Sequence, residues 1–309
     1  MNFDYTKEPG RYLLNREMRY GGAPLVSIIT PYYNAGKYFE QTFNCVMNQT
    51  FPWFEWIIVD DGSTDAESVS VLAHFAAKDD RIKTIRKENG GQAAARNEAI
   101  RRTTTPIIVP LDADDLIVPT FVETLFYVLQ INPKAAWAYT DSVGFGAREY
   151  VWHQPFSAAR MRSENLLVCT AAIRKEWLEK VNGYDEVERH YDEDWHLWLK
   201  LLAAGATPVH VNDILFWYRR RAEGMQQTVQ RDHKLCKASA EMIKRAAATV
   251  DTSVTAIEYP RGSVPGGFYA PKISTWERKA FKAHNKIHVM MLLPWMEMGG
   301  ADLFNLDIC

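Results

Sequence analysis

The sequence lacks the cysteine and histidine spacing that a zinc-binding motif requires. Its four cysteines, Cys45, Cys169, Cys236 and Cys309, are far apart, with no CxxC pair and no nearby histidine at zinc-finger spacing. Such isolated cysteines favour free thiols in a reducing compartment. We therefore expect neither a disulfide framework nor a cysteine-based metal site.

Long apolar runs are also missing. The polar N-terminus MNFDYTKEPGRYLLNRE has no signal core, and the late apolar stretch at His288–Met296 is too short to span a bilayer. The formal net charge of −2 gives no sign of a nucleic-acid binder. We predict a cytoplasmic protein that binds no nucleic acid. Peripheral contact with the inner face of the membrane stays open, on the weak hint of the basic segment 276–286.

Apolar runs and amphipathic segments alternate through most of the chain. Hydrophobic residues make up 47% of the 309 positions, enough for a sizeable core. The pattern predicts strands at 26–30, 55–60, 81–86, 106–112, 135–141 and 209–213. It predicts helices at 38–49, 69–76, 92–100, 120–130, 195–202 and 229–249. This order predicts an α/β fold with a mostly parallel, Rossmann-like central sheet, flanking helices and a helical C-terminal extension.

Composition divides the chain into four parts. We predict a lead-in at 1–24, a main domain at 25–225, a helical segment with a Pro/Gly-rich linker at 226–286, and a last part at 287–309. The last part reads as a strand at 287–293, a turn at Gly299-Gly300 and the start of a helix. One strand and half a helix cannot bury their own apolar faces, so we interpret this part as the start of a truncated second α/β domain.

Polar and acidic residues follow three of the predicted strands. These segments are TPYYN (30–34), DDGSTD (60–65) and DADD (112–115). Ligands of an open parallel sheet lie outside the carboxyl ends of its strands, so the three segments are expected at one edge. Asp112 and Asp114 are two residues apart and would face the same way, and paired carboxylates suit Mg²⁺ or Mn²⁺. The alternative is a turn, or a cap on the following helix.

Several motifs in order resemble the inverting family-two glycosyltransferases of GT-A-type fold. They are VSIITPYYNAGKYFEQTFNCVMNQTF, EWIIVDDGSTD, ENGGQAAARNEAI, PIIVPLDADDL, NGYDE and YDEDWHLWLKLLAAG, within residues 25–225. The resemblance implies transfer of a sugar, with inversion, from a nucleoside diphosphate donor to a hydroxyl of a glycan or lipid-linked glycan. By this resemblance, UDP is the expected nucleotide of the donor. The setting would be polysaccharide or surface glycan biosynthesis.

The resemblance also implies roles for individual residues. Asp194 would be the catalytic base, Asp114 would hold Mn²⁺ or Mg²⁺, and Asp115 would assist. The nucleotide sugar would be bound by these positions and by Thr30, Pro31, Tyr32, Asn34, Asp61, Arg96 and Asp112. Asp194 could instead favour the dipole of the following helix, and Asp192 and Glu193 are neighbouring competitors.

The chain departs from the family pattern at one point. Many relatives place a histidine shortly after the tyrosine–arginine stretch, and none follows Arg219 closely here. A third protein ligand to the metal is therefore open, and the arginines at 219–221 either bind the diphosphate or form a solvated basic run.

Three other functions would each require different sequence features. A sugar nucleotidyltransferase would carry a Gly-rich loop where TPYYN stands, and a non-catalytic nucleotide-sugar-binding protein would not need intact acidic residues. A dehydrogenase would place GxGxxG after the first strand. The segment MLLPWMEMGGADLFNLDI resembles the opening of a GT-B-type glycosyltransferase domain.

Overall fold

A computed structural model describes residues 22–186, 192–221 and 233–259, the backbone of 287–290 and 305–308, and the isolated residues Tyr5 and Pro9. The chain forms two compact units, Met1–Glu258 and Tyr259–Cys309. Within the described residues, no helix is both long and apolar enough to cross a membrane.

The first half of the large unit alternates strands and helices. The elements are β1 (Val26–Tyr32), α1 (Gly36–Met47), β2 (Phe54–Asp60), α2 (Ala66–Ala76), β3 (Ile82–Arg86), α3 (Gln92–Arg102), β4 (Ile107–Pro110), β5 (Leu116–Ile117) and α4 (Phe121–Ile131). Strands β3, β2, β1 and β4 are parallel neighbours in that order. Residues of β1, β2 and β4 are buried almost throughout, which explains their unbroken apolar runs.

The second half extends the same sheet with mixed direction. Its elements are β6 (Trp137–Gly146), β7 (Tyr150–Trp152), α5 (Ala158–Met161), β8 (Ala172–Arg174), α6 (Lys175–Lys180), α7 (Glu193–Ala203), β9 (Pro208–Arg220), α8 (His233–Ala247) and β10 (Ile257–Tyr259). The strand order is β10-β9-β6-β8-β4-β1-β2-β3, with β5 beside β9 and β7 beside β6. Strand β8 is antiparallel to both β4 and β6, whereas β6 and β9 are parallel.

The core fixes the elements that carry the polar loops. Trp198 of α7 stacks on Trp137 of β6 with ring centroids 5.6 Å apart, and both indoles are fully buried. Truncating a buried aromatic of this size typically costs about 3–5 kcal/mol. Ile243 and Ala247 of α8 join the same cluster. Helix α7 is therefore held on both sides, which fixes the position of its first turn.

The fold class predicted from the sequence is confirmed, and the small unit brings one correction. The strand predicted at 287–293 is present as β11 (Ile287–Met290). The helix predicted after Gly300 is wrong at Asn305–Ile308, which form β12, an antiparallel partner of β11. The basic segment 276–286 lies outside the described residues. The domain boundaries stay a prediction, although β10 joins the sheet beyond residue 225.

Candidate active site

One cleft of about 680 Å³ lies where the loop after β4 meets the first turn of α7. Four of the residues predicted from the sequence line it: Arg96, Asp112, Asp114 and Asp194. The β6–β7 hairpin and the end of β9 supply other walls, through residues such as Ser142, Tyr150, Trp152, Tyr218 and Arg220. The topology therefore brings together carboxylates that are 80 residues apart in sequence.

Asp112 and Asp114 belong to the loop after β4 at 112–115, the DxD loop, and their carboxylates contact different arginine side chains. Asp112 Oδ1 accepts a hydrogen bond from Arg96 Nη2 at 2.6 Å, and Asp114 Oδ2 lies 2.8 Å from Arg221 Nε. Burial raises the pKa of Asp114 above its usual value. The Arg221 guanidinium lowers this pKa, and the charge of Asp112 raises it further. A concentration of negative charge so poorly solvated favours a bound cation.

Arg96 is a buried link between the DxD loop and α7. Its side chain is only 1% exposed, and its other terminal nitrogen donates to Glu193 Oε1 at 2.7 Å. The guanidinium lies 5.3 Å from the ring centroid of Tyr184, and Arg96 Nε has no hydrogen-bond partner among the described residues. A buried charge needs such compensation. Arg96 lines the cleft, as a nucleotide-binding residue must, and it also positions Asp112.

Asp194 is the member of the acidic triplet that is held by amides. Its Oδ1 accepts from the backbone N–H of Trp195 at 2.7 Å, and Asn165 Nδ2 lies 3.5 Å from both oxygens. Burial raises the pKa of Asp194 to about 6. A carboxylate with such a pKa is ionised at neutral pH and is more basic than an exposed aspartate, as a general base should be.

The two competitors for the role of base have other partners. Glu193 is paired with Arg96, and burial raises its pKa to about 7. Asp192 accepts a hydrogen bond from the hydroxyl of Ser239. Asp192 occupies the N-cap position of α7 without making a side-chain cap, and Asp194 lies in the first turn. The position of Asp194 in the first turn is compatible with an interaction with the helix dipole. Asp194 also lines the cleft, which that interaction does not require.

Asp115 is buried beside the cleft and is not among the residues that line it. Its Oδ1 accepts from the backbone N–H of Arg219 at 2.7 Å, and its buried Oδ2 has no hydrogen-bond partner among the described residues. Burial, reinforced by Asp114 and Asp112, raises the pKa of Asp115 well above its usual range. The ligand atoms of Asp112, Asp115 and Cys169 lie within 4.8 Å of one another. Burial also raises the pKa of the Cys169 thiol, which disfavours the thiolate form that binds metals. The carboxylate oxygens are then the available ligands, and they fit Mg²⁺ or Mn²⁺.

The arginine run at 219–221 is not a uniform solvated stretch. Arg219 Nε donates to the carbonyl of Asp114, and the guanidinium lies 4.5 Å from the Tyr38 ring centroid and 4.4 Å from that of Phe145. Arg219 therefore anchors the DxD loop. Arg221, whose side chain is 45% exposed, pairs with Asp114 at the mouth of the cleft.

The structure places two of the predicted nucleotide-binding residues in the core. Thr30 is fully buried and its hydroxyl accepts from Trp56 Nε1 at 2.9 Å. Tyr32 is also fully buried: its hydroxyl donates to the carbonyl of Ser68 and its ring packs edge-on against Phe39. Alternate positions of a strand covered on both faces are buried by helices. The side chains of Thr30 and Tyr32 are therefore part of the core, whereas Pro31 between them is half-buried. Contact of these three residues with a nucleotide stays a prediction.

Asn34 and Asp61 stand at the predicted sheet edge, where they organise loops. Asn34 Oδ1 accepts the backbone N–H groups of Thr64 and Asp65, each at 2.9 Å. The oxygens of Asp61 accept the N–H groups of Gly90 and Gly91 at 2.9 and 2.7 Å. Neither residue lines the cleft described above, so their contact with a nucleotide stays a prediction.

Sequence reasoning did not identify the aromatic and amide residues of the cleft wall. Tyr150, Trp152 and Tyr218 present rings from the second half of the sheet, and Asn165, between α5 and β8, presents an amide. Only Tyr218 stands in a motif, the tyrosine–arginine stretch, and the hairpin that presents Tyr150 and Trp152 leaves only a short, irregular strand pattern. A run of aromatics next to charged residues is their sole signal.

Comparison with known proteins gives one consistent result. Residues 27–192 match the model of Glycosyl transferase family 2. TuaG of Bacillus subtilis (strain 168), a glycosyltransferase named for teichuronic acid biosynthesis, is 45% identical over 205 residues, which are 63% of this chain and 79% of TuaG.

Solved structures agree in fold. TarS from S. aureus in complex with UDP-GlcNAc superimposes with a TM-score of 0.57 at 18% identity, over 70% of this chain and 66% of that chain. The mannosyltransferase PcManGT from Pyrobaculum calidifontis, in complex with GDP-Man and Mn²⁺, gives 0.53 at 18% identity, over 74% of each chain. At these identities the similarity concerns the fold alone.

Proposed function

Because this chain belongs to glycosyl transferase family 2, we propose that it transfers a sugar from a nucleoside diphosphate donor to a hydroxyl acceptor with inversion at the anomeric carbon. The observation that carries this proposal is the cleft in which Asp112, Asp114 and Asp194 converge. A nucleotidyltransferase has no comparable support from these contacts.

The donor diphosphate belongs at the DxD end of the cleft. Asp112 and Asp114 would hold Mn²⁺ or Mg²⁺, which when bound would neutralise charge on the leaving diphosphate. Arg96 fixes Asp112, and Arg219 fixes the loop backbone, so the loop that carries the two carboxylates is held in place. Arg220 and Arg221 add positive charge at the same end of the cleft, where the departing diphosphate needs it.

The acceptor belongs at the α7 end of the cleft. Asp194 would take the proton from the acceptor hydroxyl as its oxygen attacks the anomeric carbon and the sugar–phosphate bond breaks. One displacement of this kind inverts the anomeric configuration, through a transition state like that of glycoside hydrolysis. Asn165 and the backbone N–H of Trp195 hold the carboxylate in place.

A bacterial-type surface polysaccharide is the acceptor class that we propose. The support is the named role of TuaG in teichuronic acid biosynthesis, together with the aromatic wall of Tyr150, Trp152 and Tyr218, since aromatic faces pack well on sugar rings. We propose a UDP-sugar as donor. Cytoplasmic location and contact with a membrane stay predictions.

A donor panel tests this proposal. UDP-, GDP- and dTDP-sugars would be incubated with the protein and Mn²⁺, with and without added oligosaccharides. The nucleoside diphosphate released as the sugar is transferred to water or to an oligosaccharide would be measured. We expect release from UDP-sugars and, by early-time NMR, a product of inverted anomeric configuration. Asp194→Asn should abolish release, while Asp80→Asn, a matched change at an exposed residue before β3, should not. Turnover of a different nucleotide class would correct the donor, and a retained anomeric configuration would contradict the mechanism.

A further inference from the structure

A second cluster of potential metal ligands lies behind the wall of the cleft. It joins Asp141 of β6, His153 just after β7, and His210 of β9. His153 Nδ1 lies 2.8 Å from Asp141 Oδ2, and His210 Nε2 lies 2.9 Å from Asp141 Oδ1. The three ligand atoms lie within 4.8 Å of one another. Three separate chain segments thus converge on a small volume with nitrogen and oxygen donors.

The surroundings of His210 resemble the outer shell of a metal site. Its other ring nitrogen, Nδ1, lies 2.7 Å from Glu258 Oε2, so carboxylates face both sides of the imidazole. Metal-binding histidines commonly donate their second N–H to a carboxylate, which fixes the tautomer and the ring. Tyr139 stacks on His210 with ring centroids 4.7 Å apart and planes 10° apart.

Two further observations favour a ligand over a closed hydrogen-bond network. The hydroxyl of Tyr139, a residue only 4% exposed, has no hydrogen-bond partner among the described residues. The side chain of His153 is 46% exposed, which leaves a path from solvent to the cluster. A buried core with one accessible ligand is the arrangement that lets an ion enter a folded protein.

We propose that Asp141, His153 and His210 bind Zn²⁺, with Glu258 orienting His210. Two imidazoles and one carboxylate suit zinc, whereas the all-oxygen DxD loop suits Mg²⁺ or Mn²⁺. Donor atoms of a tetrahedral zinc site are about 3.3 Å apart, given Zn–N and Zn–O bonds of about 2.0–2.1 Å. The two histidine–aspartate separations, 2.8 and 2.9 Å, are close to that value, and all three ligand atoms lie within 4.8 Å of one another. A solvent molecule would complete the coordination.

The ion would brace the acceptor side of the active-site cleft. Ser142, next to Asp141, pairs in register with Trp152, next to His153, and both line the cleft. Zinc at this position would tie β6, β9 and the end of the β7 hairpin together. The proposed zinc site and the proposed transfer reaction use different residues, so either proposal can fail without the other.

Cobalt substitution tests the site. Tag-free protein would be treated with a chelator, dialysed and titrated with Co²⁺, whose visible absorption reports nitrogen ligation, and then with Zn²⁺. We expect one equivalent of Co²⁺ with visible bands that Zn²⁺ displaces. The same spectrum should appear in Asp114→Asn, because the DxD loop is a separate site. It should also appear in His74→Gln, a matched histidine change on the exposed side of α2.

Two variants make the outcome decisive. His153→Gln replaces a half-exposed residue, so the variant should fold, and it should lose the Co²⁺ bands. Glu258→Gln should keep them but bind about 10–100-fold more weakly, as outer-shell changes do. Circular dichroism would confirm that both variants are folded. Absence of visible bands in the wild-type protein, or unchanged bands in folded His153→Gln, would overturn the proposal. His210 would then be a charged histidine held between the carboxylates of Asp141 and Glu258.

Discussion

Replacing Asp194 by asparagine should slow transfer and at the same time stabilise the fold. The general base would be lost, and a positioned base typically contributes about 10²–10⁴-fold to the rate. The shape of the side chain is kept, and an amide oxygen can still accept the hydrogen bond from Trp195 N–H. Donor binding should therefore stay close to that of the wild type.

The stability effect follows from the pKa of Asp194. Burial raises that pKa from 3.8 to about 6. Since the folded state binds the proton more tightly than the unfolded chain, this group lowers the free energy of unfolding as pH rises from about 4 to about 6, and the loss remains at higher pH. A shift of about two pKa units corresponds to about 3 kcal/mol at most. We expect Asp194→Asn to be more stable than wild type by about 1–3 kcal/mol at pH 8 and equally stable at pH 4.

The wild-type rate should follow the same ionisation. With a pKa of about 6, the carboxylate is about 90% ionised at pH 7 and about 10% ionised at pH 5. kcat/KM should therefore fall about tenfold per pH unit below pH 6.

Urea unfolding at pH 4 and pH 8, alongside donor turnover between pH 5 and pH 8, measures both effects. Asp192→Asn is the matched control within the triplet, and it should keep activity within tenfold. The reasoning would be refuted by an active Asp194→Asn, or by a stability difference that is the same at both pH values.

Three other substitutions test the supports of the site. Arg96→Lys cannot bridge the carboxylates of Asp112 and Glu193, so we expect about 3–5 kcal/mol of destabilisation in urea. Arg101→Lys, in the exposed pair on the same helix, should cost under about 1 kcal/mol. Gly91 has φ +89°, so Gly91→Ala should cost about 1–3 kcal/mol in the same assay; an unchanged midpoint would show that the loop relaxes freely. Arg221→Gln frees Asp114 from its ion pair and should tighten Mn²⁺ binding in the absence of nucleotide, as measured by calorimetry; weaker binding would show that Arg221 helps to build the metal site.

The fold of the first half follows directly from its sequence pattern. Strands such as 55–60 have an apolar centre without polar alternation because helices cover both faces of the sheet, and the polar residues after it mark the strand end. In the second half, β8 is three residues long and antiparallel, and its short pattern gives no periodicity to detect. Pairings of this kind depend on long-range contacts that local propensity does not encode.

The site could be predicted in part for similar reasons. Asp112 and Asp114 were recognisable as a candidate pair because acidic residues at a strand end need compensation, whereas Asp194 was assigned through the resemblance to the family. The burial of the Thr30 and Tyr32 side chains could not be predicted, because a strand-end motif does not reveal which side chains turn into the core. Their contact with a nucleotide stays a prediction. Arg219 could not be assigned, since its contacts with Tyr38 and Phe145 depend on elements more than 70 residues away.

Titration of UDP into the purified protein by calorimetry, first with Mn²⁺ and then with EDTA, tests the central claim most directly. The claim is that the carboxylates of the DxD loop hold a cation and, through it, a nucleoside diphosphate. We predict binding that requires Mn²⁺ and that weakens at least tenfold in Asp114→Asn but not in Asp80→Asn. Equal affinity for UDP with and without the metal in the wild-type protein would contradict the account.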